Sequence, residues 1–313
     1  MPLYSDKEMI ARINQLRKKH NAIILAHNYQ LGEVQDIADF TGDSLELSMI
    51  AAKNDADVIV FCGVHFMAET AYMLAPQKTV LLPVKQAGCL MADMANGTAL
   101  QRLKAKHPGA LAVCYVNSTA AVKAECDLCV TSANAYDLVR GLPADREVIF
   151  VPDMNLGANI ALATGRKMLL WEGFCPTHMR VTPEMIAAKK REFPDAPVMI
   201  HPEARPEVVA MADEVLSTGG MCRYVKTSKA KQIIVATEIG LIHRLKKENP
   251  DIVYIPLSEQ MVCPDMKMTR LADVLQALEK TRYKITVPED VRIKAVRPIE
   301  RMLEESAKLA SQK

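Results

Sequence analysis

The chain has 313 residues, half of them apolar and 24% charged, with 39 basic against 37 acidic side chains. That length gives a prior of about two domains at roughly 150 residues each, and so even a charge balance excludes a sequence-independent nucleic-acid binder. The longest charge-free stretch lies between Lys106 and Lys123, short of the ~18 residues a spanning helix needs, and the N-terminal MPLYSDKEMIARINQLRKKH lacks the apolar centre of a secretory signal. A cytoplasmic protein without a membrane span is expected.

In chain order, AIILAHNYQ reads as a strand, EVQDIADF and SLELSMIAAK as helical stretches, and DVIVFCG as the next strand. Such alternation predicts an α/β fold with mostly parallel strands and crossover helices. A longer period is also present. Three times the chain passes through an apolar strand with a polar tip, a strand opening with Asp, a strand ending at Pro, and then a cysteine. The first pass has IILAHNYQ (23–30), Asp57-VIVFC, TVLLP ending at Pro83, and Cys89. The second has LAVCYVNST (111–119), Asp127-LCVTS, EVIFVP ending at Pro152, and Cys175. The third has PVMIHPEA (197–204), Asp213-EVLST, DIVYIP ending at Pro256, and Cys263. Cys89 lies 62 residues beyond His27, Cys175 60 beyond Tyr115, and Cys263 62 beyond His201. The reading is three repeats, 20–107, 108–195 and 196–288, packed around a pseudo-threefold axis, with residues 1–19 and 289–313 as terminal helices on the body. In the last of these, VRIKAVRPIERMLEESAKLA, Ile293, Val296, Ile299, Met302 and Leu303 fall near one face.

Eight cysteines in a reducing compartment leave metal ligation, catalysis or burial as their uses. Ligands of open parallel sheets bind beyond the carboxyl ends of the strands, and each repeat places its polar tip and its cysteine there. Three such repeats would bring Cys89, Cys175 and Cys263 to a central seam. Gly88 and Gly173 precede two of them closely, and Pro176 and Pro264 directly follow two, which marks accessible loops. Structural zinc sites usually draw on closely spaced cysteine pairs, whereas these three are 86 to 88 residues apart. A cubane iron–sulfur cluster suits three separate loops better, and one iron without a protein ligand would act as a Lewis acid. Cys126 and Cys129 straddle the start of a strand, so their side chains are expected to face different ways as structural residues. Cys62, Cys114 and Cys222 read as packing residues.

The strand tips supply polar groups for a small substrate: His27, Asn28 and Tyr29, then Tyr115, Val116 and Asn117, then His201, Pro202 and Glu203. Hydroxyls form a second set. Ser132 and Thr218 each stand five residues beyond their strand-opening Asp, and Ser44 opens SLELSMIAAK. Each can be an N-cap, and each can present a helix N-terminus to a carboxylate or phosphate.

HNYQ-x4-QDIADF-x-GDSLELS (27–48), QAGCLMADM (86–94), YVNSTAAVKA (115–124), VTSANA (130–135), WEGFCPTHMR (171–180), MIHPEA (199–204), STGGM (217–221) and VCPDMKM (262–268) together resemble quinolinate synthase A, from about residue 20 to residue 300. The resemblance implies three three-layer α/β/α domains with a [4Fe–4S] cluster at the centre, ligated by Cys89, Cys175 and Cys263. It implies a transferase that condenses iminosuccinate with dihydroxyacetone phosphate to quinolinate, phosphate and water in NAD biosynthesis. The substrate would be held by His27, Ser44, Tyr115, Val116, Asn117, Ser132, His201, Pro202, Glu203 and Thr218. Glu203 with His201 would serve as general acid and base, and Tyr29 and Tyr115 would exchange protons near an oxygen. Coupling to an L-aspartate oxidase or aspartate dehydrogenase would supply iminosuccinate. Some members of that family carry a C-x-x-C-x-x-C around the third ligand; here the stretch is Met261-Val-Cys263-Pro-Asp-Met266, so a switch disulfide there is not available. The alternatives are another iron–sulfur hydro-lyase acting on a hydroxy acid, which would need no phosphate site, and a non-catalytic iron–sulfur sensor, which would leave the polar tips unexplained. No G-x-G-x-x-G, P-loop, HExxH or G-x-S-x-G occurs.

Overall fold

A computed structural model describes residues 4–311; positions 1–3 and 312–313 of the expected terminal helices lie outside the described residues. The described chain divides into two compact units, residues 4–89 with 263–288 and residues 90–262 with 289–311.

The first unit is built on β1 (Ala22–His27), β2 (Phe40–Gly42), β3 (Val58–Cys62) and β4 (Thr79–Leu81), all parallel in the order β2-β1-β3-β4. β1 is a nearly continuous apolar run because both faces of the sheet are covered. Helix Asp6–Lys19 begins at a capping box in which Ser5 and Glu8 satisfy each other's backbone N–H. It packs with helix Leu271–Lys280 over Ile13, Ile24, Val60, Leu81, Val274 and Leu278. Each such fully buried aliphatic side chain contributes about 1.5–3 kcal/mol.

The second unit holds two more sheets. β5 (Leu111–Tyr115), β6 (Leu128–Val130), β7 (Val148–Val151) and β8 (Met168–Leu170) run parallel in the order β6-β5-β7-β8. β9 (Val198–Ile200), β10 (Glu214–Val215), β11 (Gln232–Ala236) and β12 (Val253–Pro256) repeat it as β10-β9-β11-β12. The protein is thus α/β, with three four-stranded parallel sheets of one topology flanked by helices, as the repeat predicts.

The sheets also correct the detail of that repeat. EVQDIADF is not helical throughout: the helix ends at Ile37, and Phe40–Gly42 forms the edge strand β2. The first-sheet counterpart of Asp127 and Asp213 is therefore Asp39, not Asp57. In each sheet this carboxylate accepts a backbone N–H of the neighbouring inner strand fifteen residues earlier: Ile24 N to Asp39 at 2.8 Å, Ala112 N to Asp127 at 2.7 Å, Val198 N to Asp213 at 2.8 Å. Each also pairs with a cation from the helix before that strand, Arg17 at 3.1 Å, Lys104 at 3.7 Å and Lys190 at 3.0 Å. EVIFVP is likewise the third strand of its sheet, not the fourth. In this register each of Cys89, Cys175 and Cys263 follows the fourth strand of its sheet.

Helix Glu289–Ser311 packs in the second unit against β6 and helices Ala120–Lys123 and Ala135–Arg140. Its buried face is Ala295, Pro298, Ile299 and Met302, an i, i+3, i+4, i+7 stripe. Ile293, expected on that face, is exposed because the stripe begins two residues later. Among the described residues no helix is long and apolar enough to cross a membrane.

Candidate functional site

The second unit gathers several expected site residues where strands end. Tyr115 is the last residue of β5, and His201, Pro202 and Glu203 follow β9 directly. The Tyr115 hydroxyl donates to Glu203 Oε1 at 2.7 Å, and Glu203 Oε2 lies 2.7 Å from His178 Nδ1. That nitrogen is also 3.2 Å from Cys175 Sγ, while His178 Nε2 meets Thr237 Oγ1 at 2.8 Å. His201 stacks on His178 with ring centroids 4.8 Å apart and reaches Ser132 Oγ through Nε2 at 3.2 Å. Cys175 Sγ and the ligating atoms of His178 and Glu203 all lie within 4.8 Å of one another, a soft and hard donor set able to hold a metal ion.

Local sequence explains the placement. Cys175 precedes Pro176 at the first position of helix Pro176–Met179, and that single turn carries His178 back beside it. Gly173 permits the approach: a Cβ there would sit 2.4 Å from the Pro152 carbonyl oxygen. The Gly173 carbonyl accepts from Met154 N at 2.8 Å, and an isolated parallel bridge joins it to Asp153, tying this loop to the end of β7. The Glu203 loop is held from the other side, since Asn155 Nδ2 donates to the Glu203 carbonyl at 3.2 Å and Asn159 Nδ2 to those of Pro202 and Ala204, both at 2.9 Å.

Burial works against the charge of Glu203, yet His201 and His178, together with hydrogen bonds from His178 and Tyr115, hold its carboxyl below the usual range. Burial pushes the Tyr115 phenol well up, and the Glu203 charge adds to it. Burial lowers His201 to about 4, with His178 in the same direction and Glu203 opposing. Asp153 is fully buried; its Oδ1 caps helix Met154–Thr164 and its Oδ2 has no hydrogen-bond partner among the described residues. Burial, then the Glu203 charge, raise its carboxyl well above the ordinary value.

Val116 donates its N–H to Val130 O at 2.8 Å, and the partly buried Asn117 beside it has an Oδ1 with no partner among the described residues. Thr218 and Ser44 open helices but cap neither. Ser217 accepts from Gly220 N, and Asp43 from Leu45 and Glu46 N, which relieves both hydroxyls of the capping duty expected of them. Ser132 is not a cap either, because helix Ala135–Arg140 begins after Asn134. In the first unit His27 ends β1, buried edge-on to the Tyr29 ring at 4.7 Å, and accepts from Tyr29 N at 3.1 Å; Asn28 lies between them, fully buried. Lys267, from the segment after Cys263, donates to the Tyr29 carbonyl, and Gln30 meets Met266 Sδ at 3.5 Å.

Cys89, Cys175 and Cys263 are partly exposed on loops, whereas Cys62, Cys114, Cys129 and Cys222 are buried. Cys126 is partly exposed with its Sγ donating to the Val122 carbonyl at 3.1 Å, whereas the Cys129 Sγ lies 3.3 Å from that of Cys114. Two further residues of this cluster, His178 and Asp153, stand outside the strand-tip pattern of the repeat. The Cys175-x-x-His178 spacing was a usable signal for the first, while Asp153 looks like any N-cap.

A buried carboxylate, two imidazoles and a loop thiol at the strand ends of a thrice-repeated parallel sheet mark an α/β enzyme whose site offers a donor set for a metal. The chain belongs to the quinolinate synthetase A family, whose model, described as quinolinate synthetase A protein, matches residues 11–304. Proteins named quinolinate synthase are similar over nearly the whole length. That of Dehalococcoides mccartyi strain CBDB1 is 57% identical over 298 residues, 95% of this chain and 98% of its own. Those of Geobacter sp. strain M21 and Methanoregula boonei are each 55% identical over 291 residues, 93% of this chain and 95% and 96% of theirs. Family and loop thiols together point to an iron–sulfur centre.

Proposed function

We propose that this chain is a quinolinate synthase, condensing iminosuccinate with dihydroxyacetone phosphate to quinolinate with loss of phosphate and water, and that Cys89, Cys175 and Cys263 ligate a [4Fe–4S] cluster. The carrying observation is the buried Tyr115–Glu203–His178 chain ending on the Cys175 thiol. The donor chemistry fits such a group, because the three thiols that stand on loops after the fourth strands are all partly exposed. When bound, the cluster would supply an iron without a protein ligand, a Lewis acid for the hydroxyl lost in dehydration.

The remaining chemistry falls to the side chains. Held as a carboxylate by its neighbours, Glu203 starts as a base, and enolisation of the keto-phosphate carbons needs one. A proton it takes up is shared with His178, 2.7 Å away. His201, neutral at pH 7, can relay a proton between Ser132 and the substrate. Tyr115, kept protonated, would turn the proton it gives Glu203 toward a developing oxyanion once Glu203 has taken up a proton, and Tyr29 would be a second such donor. Asn117, Ser132, Thr218, Ser44 and His27 would hold the substrate carboxylates, with backbone of Val116 and Pro202 lining the same tips. The substrate implies a supplying oxidase or dehydrogenase acting on aspartate.

Anaerobic purification, EPR of the reduced protein with and without a quinolinate-like dicarboxylate, and a quinolinate assay test the reading. A cubane signal perturbed by the dicarboxylate, lost in Cys175→Ala together with turnover, is expected. Absence of iron, or full turnover in Cys175→Ala after reconstitution, would overturn it.

A further inference from the structure

Three cysteines outside the proposed cluster ligands meet in the second unit. Cys114 on β5 and Cys129 on β6 are in-register partners on adjacent parallel strands, both fully buried, with their Sγ atoms 3.3 Å apart. Adjacent strands lie about 4.8 Å apart, within the roughly 4.4–6.8 Å between Cα atoms that a disulfide spans. The third sulfur, Cys126, leans on the Val122 carbonyl at 3.1 Å and is the one partly open to solvent. The ammonium of Lys123, itself fully buried, is the nearby positive charge. We propose that Cys114, Cys126 and Cys129 form a peroxide-reactive thiol relay that ends in a Cys114–Cys129 disulfide one residue before Tyr115.

The electrostatics support the geometry. Burial opposes ionisation of Cys114, but hydrogen bonds from Cys126 and Cys129 and the charge of Lys123 bring its thiol well below the ordinary value. Burial, and then the bond to Cys114, push the other two well above it. The charge of the trio thus rests on Cys114, and Cys126 meets a peroxide as thiolate only by handing its proton to Cys114. The Cys126 sulfur then attacks one peroxide oxygen and breaks the O–O bond; hydroxide leaves and is protonated to water, giving Cys126 sulfenic acid and returning the thiolate to Cys114. The Cys114 thiolate attacks the sulfenic sulfur, forming the S–S bond and expelling hydroxide, which takes the Cys129 proton to become the second water. The new Cys129 thiolate attacks Cys114 across the 3.3 Å gap and releases Cys126 as thiolate. Two sulfurs lose one electron each, and the peroxide takes both.

The test does not depend on turnover, since peroxide would also attack an iron–sulfur cluster. Anaerobically prepared holoprotein is treated with hydrogen peroxide, alkylated, cut with trypsin and mapped by mass spectrometry. Residues 107–123 and 124–140 are expected linked through Cys114 and Cys129, and separated again by a dithiol. Cys62, which burial pushes far up and which lies on another sheet, is expected to stay alkylated only after unfolding. Cys126→Ser should slow the cross-link by about tenfold or more, by removing the sulfur that meets the peroxide first. Alkylated, unlinked Cys114 and Cys129 under conditions that oxidise Cys126 would overturn the proposal. An unchanged rate in Cys126→Ser would overturn the relay.

Discussion

At the scale of single residues, the Tyr115–Glu203 hydrogen bond carries a direct expectation. It is a 2.7 Å bond to a buried carboxylate, and losing such a bond costs about 1.5–3 kcal/mol. Tyr115→Phe should therefore lower kcat/KM by about 10- to 100-fold if the bond is present in the transition state, read by steady-state quinolinate formation with folding checked by circular dichroism. His201 gives a stability expectation with a definite sign. Folded, it titrates near 4; unfolded, near its ordinary 6.5. Between those values the unfolded chain takes up a proton that the folded chain refuses, so stability is full above pH 6.5 and falls as pH drops toward 4, by up to about 3 kcal/mol. Urea midpoints at pH 7 and pH 4.5 should separate more for the wild type than for His201→Asn; equal separation would sink the claim. Both residues were legible in the sequence because they stand at equivalent strand tips. His178 has no periodic signal inside its one-turn helix and is marked only by the Cys175-x-x-His178 spacing, and its contact with Glu203 appears only when the β9 loop brings that carboxylate beside it.

At the scale of elements, the recurring carboxylate is a fold device. Asp39, Asp127 and Asp213 each bind the backbone of the strand beside their own and a cation on the helix before it. That ties three consecutive elements, helix, inner strand and edge strand, in a region where the edge strands have only two or three residues. Substitution by Ala should cost about 1 kcal/mol at each, most of it from the backbone bond, because partly exposed ion pairs contribute little. The same loss at all three positions in urea melts, with kcat unchanged, is the expected outcome. The Asp-x4-Ser/Thr spacing behind this device recurs once per sheet, from Asp39 to Ser44, Asp127 to Ser132 and Asp213 to Thr218. The first instance is the hardest to read, because β2 is three residues long with an exposed Phe40, too short to show a strand period. The adjacent helix Gly32–Ile37 extends the helical pattern across Asp39 and leaves Asp57 as the apparent equivalent.

At the scale of the whole molecule, near-equal spacing of tip and cysteine made three sheets legible, although length alone suggested two domains. One strand order recurs in all three sheets, so equivalent loops follow equivalent strands, and a spacing set by topology survives wherever local periodicity is too short to read. The compact units were not legible, because the segment 263–288 returns to the first unit through helix Leu271–Lys280, and a long-range packing choice leaves no mark on spacing. Metal loading should act at this scale. A group that binds the folded chain through residues brought together only on folding adds its binding free energy to stability. Iron-loaded protein should therefore melt at a higher temperature than protein stripped by a chelator under anaerobic conditions. Cys175→Ala should abolish that difference while leaving the stripped protein's own melting point within a few degrees, since a partly exposed loop thiol contributes little packing. Scanning calorimetry of both proteins, loaded and stripped, separates the outcomes. A loading shift that persists undiminished in Cys175→Ala would place the iron elsewhere in the chain.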